Sequence, residues 1–207
     1  MRSEFDINEY DIWTENGRSE VEQIGFRNGL IKYYRVGVLR SFFSNGVQCM
    51  VTGEWHSRKH NNVIAAHIWM SKTRGKGLPK FGLSDDDLMT PRNGFLALKD
   101  IEDKFDRKQL CFLYNPLSTQ GKFTVKLLDP AIRPLVIRQS RQGKTFAQID
   151  VIVLQHPQLH FPYRRLLGFH ARCSYALARI KGWIAEGAVF AEYFDISETA
   201  SAPETYR

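Results

Sequence analysis

The chain has 207 residues, 43% of them hydrophobic and 13% aromatic, so it is long and apolar enough to fold around a core without disulfide or metal staples. Its 29 Lys and Arg residues outnumber its 22 Asp and Glu residues, and the formal net charge of +7 favours a polyanionic partner. The three cysteines lie far apart with no CxxC pair, which excludes a disulfide framework and a four-cysteine zinc ribbon.

Hydrophobic patterning gives no sign of a membrane protein. No apolar run approaches the ~18 residues that a membrane-spanning helix needs. The acidic, polar N-terminal stretch MRSEFDINEYDIW does not have the pattern of a secretory signal peptide. We therefore expect an intracellular protein, cytoplasmic or nuclear, that is neither secreted nor bound to a membrane.

The first elements in chain order are short and of mixed character. Residues 1–23 are charged and predict a loosely ordered arm. Residues 24–43 predict a strand pair turning at Asn28-Gly29, followed by a short helix. The apolar runs at 47–53 and 62–69 predict two strands separated by a polar loop.

A long basic loop follows the strand at 62–69. The stretch SKTRGKGLPKFGLSDDD is too long to be a passive connector in a compact domain. It contains four cations and several glycines, a composition that suits contact with phosphate groups, although an ordinary solvated loop has the same composition. The four cations are Lys72, Arg74, Lys76 and Lys80.

The second half of the chain predicts a mixture of helices and strands. Residues 96–105 have apolar positions at helical spacing. Two strands are predicted around a turn at 118–121, and a further strand over 144–154. Pro162 begins an amphipathic tail helix. The fold class expected from these elements is α+β.

Four short motifs occur in the order of a known family. CMVTG at 49–53, AAHI at 65–68, NGFLAL at 93–98 and DIEDKFD at 100–106 resemble the HNH endonucleases, in the branch that reads CxVTG, AAHI, NGL and DxHxLFD. The resemblance covers roughly residues 38–130 and implies a ββα-metal core. It also implies three parts: an N-terminal arm at 1–37, an HNH nuclease-like domain at 38–135 with an additional β-hairpin, and a strand and helix extension at 136–207 that packs on the core.

The resemblance also implies roles for particular side chains. His67 matches the general base that takes a proton from the attacking water, a task that suits a neutral imidazole. Asn93 matches the asparagine that orients the base or helps to hold one divalent metal ion near the scissile phosphate. The four cations of the basic loop would contact the DNA backbone with little sequence specificity.

Two positions depart from the motif. Ala66 stands where many HNH enzymes have a metal-binding aspartate, as it does in the AAHI branch. Glu102 stands where the motif has its final histidine. A carboxylate is a good ligand for Mg²⁺ or Mn²⁺ and a poorer match for a zinc site built on imidazoles, so the predicted metal set is Asn93 and Glu102 with Mg²⁺ or Mn²⁺ favoured over Zn²⁺.

Several readings remain open at the level of sequence. The first is a metal-dependent endonuclease that hydrolyses phosphodiester bonds in DNA, with His67 as the base. The second is a catalytically degenerate DNA-binding module of the same fold. The third is a protein-interaction domain. Individually, His67 suits a core histidine, Asn93 a turn or helix cap, and Glu102 a surface charge.

Overall fold

A computed structural model of the chain describes residues 20–37, 46–115, 123–155, 160–185 and 187–188. Among these residues, the α-helices are α1 (Glu20–Tyr33), α2 (Lys99–Asp106) and α3 (Arg164–Ile180). The β-strands are β1 (Gly46–Gln48), β2 (Trp55–Ser57), β3 (Val63–His67), β4 (Gly94–Leu98), β5 (Leu110–Tyr114) and β6 (Phe123–Leu127). They form three antiparallel hairpins: β1 with β2, β3 with β4, and β5 with β6. The mixture confirms the expected α+β class.

The strand pair predicted within 24–43 was wrong, because helix α1 occupies the first part of this segment. The helix runs through Asn28 and Gly29 without a turn. Phe26 and Leu30, one helical turn apart, are both buried in the core, so the 3.6-residue period prevails over the local turn signal. A short helix was also predicted to end near Ser44-Asn45-Gly46, and residues 38–45 lie outside the described residues.

β3, β4 and α2 follow one another as a ββα unit. The helix predicted over 96–105 begins later, because β4 extends to Leu98 and α2 begins at Lys99. All five residues of β4 are buried, so its continuous apolar run is that of a strand covered on both faces. The strand predicted at 62–69 is confirmed by β3.

The β3–β4 hairpin lies between α1 and α2. Directly opposite residues of an antiparallel pair project to the same face, and successive residues alternate between faces. Phe26 of α1 lies against Gly94, whereas Phe105 of α2 packs edge-on against Phe95 with ring centroids 5.0 Å apart. The two helices therefore cover opposite faces of the hairpin.

The remaining elements agree with prediction in part. The β5–β6 hairpin confirms the predicted strand pair, while its turn at 118–121 lies outside the described residues. Helix α3 confirms the tail helix and packs on β5. The strand at 47–53 shortens to β1. None of the described helices is both long enough and apolar enough to cross a bilayer.

The strand predicted over 144–154 was wrong. Residues Phe146–Ile149 form a 3-10 turn with a capping box, in which Thr145 and Gln148 bond to each other's backbone. Phe146 and Ile149 are both buried, so the apolar pattern arises from a turn anchored in the core. Within the described residues, strand-like pairing of this segment is limited to two isolated bridges, one between Thr124 and Val153 and one between Val136 and Thr145.

Buried carboxylates attach the segment after β6 to the ββα unit. Asp100 of α2, 6% exposed, accepts hydrogen bonds from the backbone N–H of Arg138 and from its guanidinium, the latter at 2.7 Å. Glu54, also 6% exposed, accepts from the Ser140 hydroxyl at 2.7 Å and the Arg141 N–H at 3.0 Å. These contacts hold the chain around residues 138–141 against the end of the hairpin from which α2 begins.

Candidate active site

His67 is the last residue of β3 and lies directly opposite Gly94. Its half-buried imidazole stacks on the ring of Phe26, with ring centroids 3.7 Å apart and an angle of 24° between the planes. Phe26 itself is 3% exposed. The candidate base is therefore held at the end of a strand and covered on one face by an aromatic ring from α1.

Gly94 makes room for this stack. A Cβ atom at residue 94 would lie 2.6 Å from Cζ of Phe26 and 2.6 Å from the carbonyl oxygen of Ala66. Any larger residue would therefore displace the ring that covers His67. Sequence reasoning missed both Phe26 and Gly94 as parts of the site. The helical spacing of Phe26 and Leu30 was the available signal, but it was interpreted as part of a strand pair.

Asn93 is fully buried and bonds to the loop backbone through its whole amide group. Its Oδ1 accepts from the N–H of Trp69 at 2.8 Å, and its Nδ2 donates to the carbonyls of Trp69 at 3.1 Å and Leu88 at 2.9 Å. The backbone carbonyl of Asn93 also accepts from the N–H of Ile68 at 2.9 Å. Asn93 thus fixes the chain immediately after His67, and this geometry favours the orienting role over direct metal ligation.

The basic loop is anchored to the core by buried apolar residues. Leu78 and Phe81 are buried beneath it, and Gly77 lies so close to Trp69 that a Cβ would be 2.6 Å from the indole ring. The indole N–H of Trp69 donates to the carbonyl of Lys76 at 3.1 Å. Arg165 of α3 donates to the carbonyl of Phe81 at 2.6 Å. Of the four predicted DNA-contacting cations, Arg74, Lys76 and Lys80 are exposed and Lys72 is half-buried.

Glu102 lies on α2 and is half-buried. Burial, followed by the neighbouring carboxylates of Asp106 and Asp103, raises the pKa of its carboxyl to about 7 against the opposing charge of Lys99. Burial lowers the pKa of Lys72, and the nearby carboxylate of Asp106 opposes this change. The basic loop after His67 and the C-terminal end of α2 are therefore neighbours.

The structure brings His67 and Asn93 together but places Glu102 on a different side of the hairpin. His67 projects to the face covered by α1, and Glu102 belongs to the helix that covers the other face. Ala66 projects toward α2 but supplies no donor atom. Within the part of the chain that the structure describes, no three His, Cys, Asp or Glu side chains are grouped to hold a metal ion.

The donor chemistry at α2 nevertheless fits a hard cation in one respect. Glu102 and Asp106 are spaced one helical turn apart, and their carboxylate oxygens are the donors that Mg²⁺ and Mn²⁺ prefer. The pKa of Glu102 is raised first by burial and then by repulsion from Asp106 and Asp103, and a bound cation would relieve that repulsion. Asn93 fits less well, because its amide oxygen already accepts a backbone hydrogen bond.

Comparison with known proteins gives one match. Residues 49–113, about a third of the chain, match the model of a family described as HNH endonuclease. Neither the curated proteins nor the solved structures gave a match. The matched segment contains β3, β4 and α2, hence His67, Asn93 and Glu102, and it leaves out α1. Such a domain indicates a nuclease-type function with DNA as the substrate. Residues 49–113 are therefore similar to the HNH endonuclease family.

Proposed function

We propose that the protein is a metal-dependent endonuclease that hydrolyses phosphodiester bonds in DNA, with His67 as the general base. The observation that carries this proposal is the position of His67 within the matched segment. It ends β3 opposite Gly94, and the backbone after it is bonded to Asn93. The strand end and the loop thus fix the position of the histidine. A catalytic base needs such a fixed orientation.

His67 supplies the proton acceptor in this proposal. A neutral imidazole accepts the proton of a water molecule as that water attacks phosphorus, and the bond to the leaving oxygen breaks as the new P–O bond forms. The stacked ring of Phe26 restricts rotation of the imidazole. Asn93 acts through the backbone, because its bonds to Trp69 fix the residues next to the base.

Glu102, with Asp106, is the part of the chain proposed to hold a divalent ion. When bound there, beside the basic loop that follows His67, the ion would neutralise charge on a phosphate held by that loop. Two carboxylates favour Mg²⁺ or Mn²⁺ over Zn²⁺. Arg74, Lys76 and Lys80 are proposed to contact backbone phosphates from the exposed side of the basic loop, which gives affinity without base reading.

The proposal is tested with supercoiled plasmid and the purified protein in a panel of Mg²⁺, Mn²⁺, Ni²⁺ and Zn²⁺. We expect nicking with Mg²⁺ or Mn²⁺, and none after chelation or in His67→Ala. Retained DNA binding without cleavage in every metal would contradict the proposal.

That last outcome defines a second candidate function, a DNA-binding module of the HNH fold that has lost cleavage. Two observations favour it: Glu102 occupies the position of the final motif histidine, and α2 covers the face of the hairpin opposite the His67 ring. Under this alternative, His67→Ala leaves DNA affinity unchanged because the histidine packs against Phe26 and takes no part in DNA binding.

A further inference from the structure

Two arginines outside the basic loop approach each other without an acidic partner. Arg27 lies on α1, and Arg58 lies in the short 3-10 turn Arg58–His60 that follows β2. Both are half-buried. Within the described ranges, the ion pairs of the structure involve other residues, and neither of these guanidiniums has a carboxylate within ion-pair distance.

Hydrogen bonds hold the Arg27 guanidinium at the edge of β3, and burial restricts one nitrogen of Arg58. Arg27 donates through Nη2 and Nε to the carbonyl of Val63, at 3.2 and 3.4 Å. Arg58 has its Nε buried, and in the described part of the chain that nitrogen has no hydrogen-bond partner. One N–H of a cationic side chain is thus buried without a hydrogen-bond partner, which is costly in the absence of a ligand.

Gly37 provides the space for Arg58. A Cβ at residue 37 would lie 2.9 Å from Nη2 of Arg58 and 2.7 Å from Cγ2 of Ile31. The backbone therefore approaches the guanidinium closely, and the fork of Arg58 lies against main chain instead of swinging freely in solvent. Arg58 is therefore partly packed against the protein, whereas the neighbouring Lys59 is exposed.

The two positive charges influence each other. The pKa of Arg27 is lowered, first by burial and then by the charge of Arg58. Like charges held together in a partly buried place destabilise the fold, and an anion bound between them would remove that cost. Guanidiniums bind phosphate oxygens through several N–H donors that lie in one plane, an arrangement that lysines do not reproduce.

We propose that Arg27 and Arg58 form a phosphate-binding site that holds a backbone phosphate of the DNA away from the cleavage point. The inference rests on the proposed function for its ligand. Val63, which anchors Arg27, begins β3, and His67 ends it. Four strand residues span about 13 Å, or roughly four base steps of one DNA strand. The site thus fixes the register of the DNA along the β3 edge while His67 acts at the strand end.

The test measures DNA affinity and not cleavage. In a His67→Ala background, binding of a short duplex is followed by fluorescence anisotropy from ~50 to ~200 mM salt. The variants are Arg27→Gln and Arg58→Gln, with Arg58→Lys to keep the charge but lose the fork, and Lys59→Gln as the exposed control with the same charge change. In a second arm, inorganic phosphate is titrated against thermal unfolding at constant ionic strength.

We expect Arg58→Gln and Arg27→Gln to weaken binding about tenfold and to reduce the slope of log affinity against log salt by ~0.9, the value for one lost phosphate contact. Arg58→Lys should recover only part of this loss, and Lys59→Gln should leave the slope nearly unchanged. Phosphate should raise the midpoint of wild type and not that of Arg58→Gln.

Equal effects of Arg58→Gln and Lys59→Gln would overturn the proposal, since only generic charge would then matter. Arg58-dependent stabilisation by phosphate with undiminished DNA affinity would also overturn it, in favour of a free-anion site. Absence of DNA binding by the parent protein is a failure of the proposed function instead. If Arg58→Gln does not fold, DNA affinity is measured in Arg58→Lys and Gly37→Ala instead. Unchanged affinity in both variants would overturn the proposal.

Discussion

The imidazole of His67 stacks on the ring of Phe26 at a centroid distance of 3.7 Å. Phe26 belongs to α1, which precedes the segment that matches the HNH family. The candidate base is therefore oriented by an element outside the family domain. A fragment limited to residues 49–113 would lack this ring, so we expect the functional unit to include α1.

Substitution of Gly94 tests the stack directly. A Cβ at this position would collide with Phe26 and with the Ala66 carbonyl, both at 2.6 Å. We expect Gly94→Ala to lower the free energy of unfolding by about 1–3 kcal/mol, the usual cost of overpacking, and to reduce any cleavage more than it reduces DNA affinity. Urea unfolding gives the first quantity, and nicking and anisotropy assays the second.

Gly25 on α1 provides the matched control. A Cβ at Gly25 meets nothing within 4 Å, so Gly25→Ala should stabilise the helix by roughly 0.5–1 kcal/mol. If both alanine variants had the same effect on stability, the close contact between Gly94 and Phe26 would be wrong.

Asn93→Asp distinguishes the positioning role of Asn93 from metal ligation. The substitution keeps the acceptor for the Trp69 N–H but removes the two donors to the carbonyls of Trp69 and Leu88. At a fully buried position this should cost at least about 2 kcal/mol of unfolding free energy. Asn61→Asp, at an exposed site, should stay within about 0.5 kcal/mol. Higher metal affinity with unchanged stability in Asn93→Asp would instead indicate a ligand.

Glu102→His tests whether Glu102 binds the metal. Restoring the residue that the motif has at this position replaces a hard oxygen donor by an imidazole, so we expect the metal preference of cleavage to move from Mg²⁺ and Mn²⁺ toward Ni²⁺ or Zn²⁺. Relative nicking rates across the four metals provide the measurement. Asp103→His, one position along α2, is the control. The same metal profile in wild type and Glu102→His would show that Glu102 is not a ligand.

We expect the free energy of unfolding to fall in mild acid because of His170. Burial, and then the charge of Lys108, lower the pKa of His170 to about 3 against the hydrogen bond to the Phe105 carbonyl. Because the folded pKa lies below the unfolded value near 6.5, this stability is complete above pH ~6.5 and is lost as pH falls toward 3. Between pH 7 and 4.5 the loss should be roughly 2.5 kcal/mol.

His170→Phe isolates this contribution from the carboxylates that also titrate in acid. The variant retains a ring that can stack on Phe105, where the wild-type rings lie 3.7 Å apart, but it cannot be protonated. Its unfolding free energy should therefore fall less steeply between pH 7 and 4.5 than that of wild type. Parallel pH profiles for the two proteins would contradict the assignment.

The sequence was sufficient for one strand and the helix of the ββα unit because their signals are local. The apolar run that ends at His67, the asparagine before Gly94 and the helical spacing before Asp106 each lie within a few residues. These signals predicted β3, α2 and the resemblance to the HNH family, but they did not predict β4. Residues 96–98 were assigned to the helix because a strand buried on both faces has the same continuous apolar pattern as a buried helix.

The parts that were missed depend on contacts between distant segments. Phe26 meets His67 across 41 positions of the printed chain, and the Arg138 N–H reaches Asp100 across 38. No local pattern encodes such pairs. The 3-10 turn at Phe146–Ile149 was likewise read as a strand, because its buried apolar residues are held by tertiary packing and not by a ladder of hydrogen bonds.

The central claim is that His67 is the base of a metal-dependent DNA cleavage reaction. The most direct measurement compares initial rates of plasmid nicking in Mg²⁺ for wild type, His67→Ala and His60→Ala, with duplex affinity measured in parallel. His60 is an exposed histidine and serves as the control. The account predicts that His67→Ala loses at least ~100-fold in rate with unchanged affinity, while His60→Ala retains the wild-type rate. Equal rates in all three proteins, or no nicking by wild type, would contradict it.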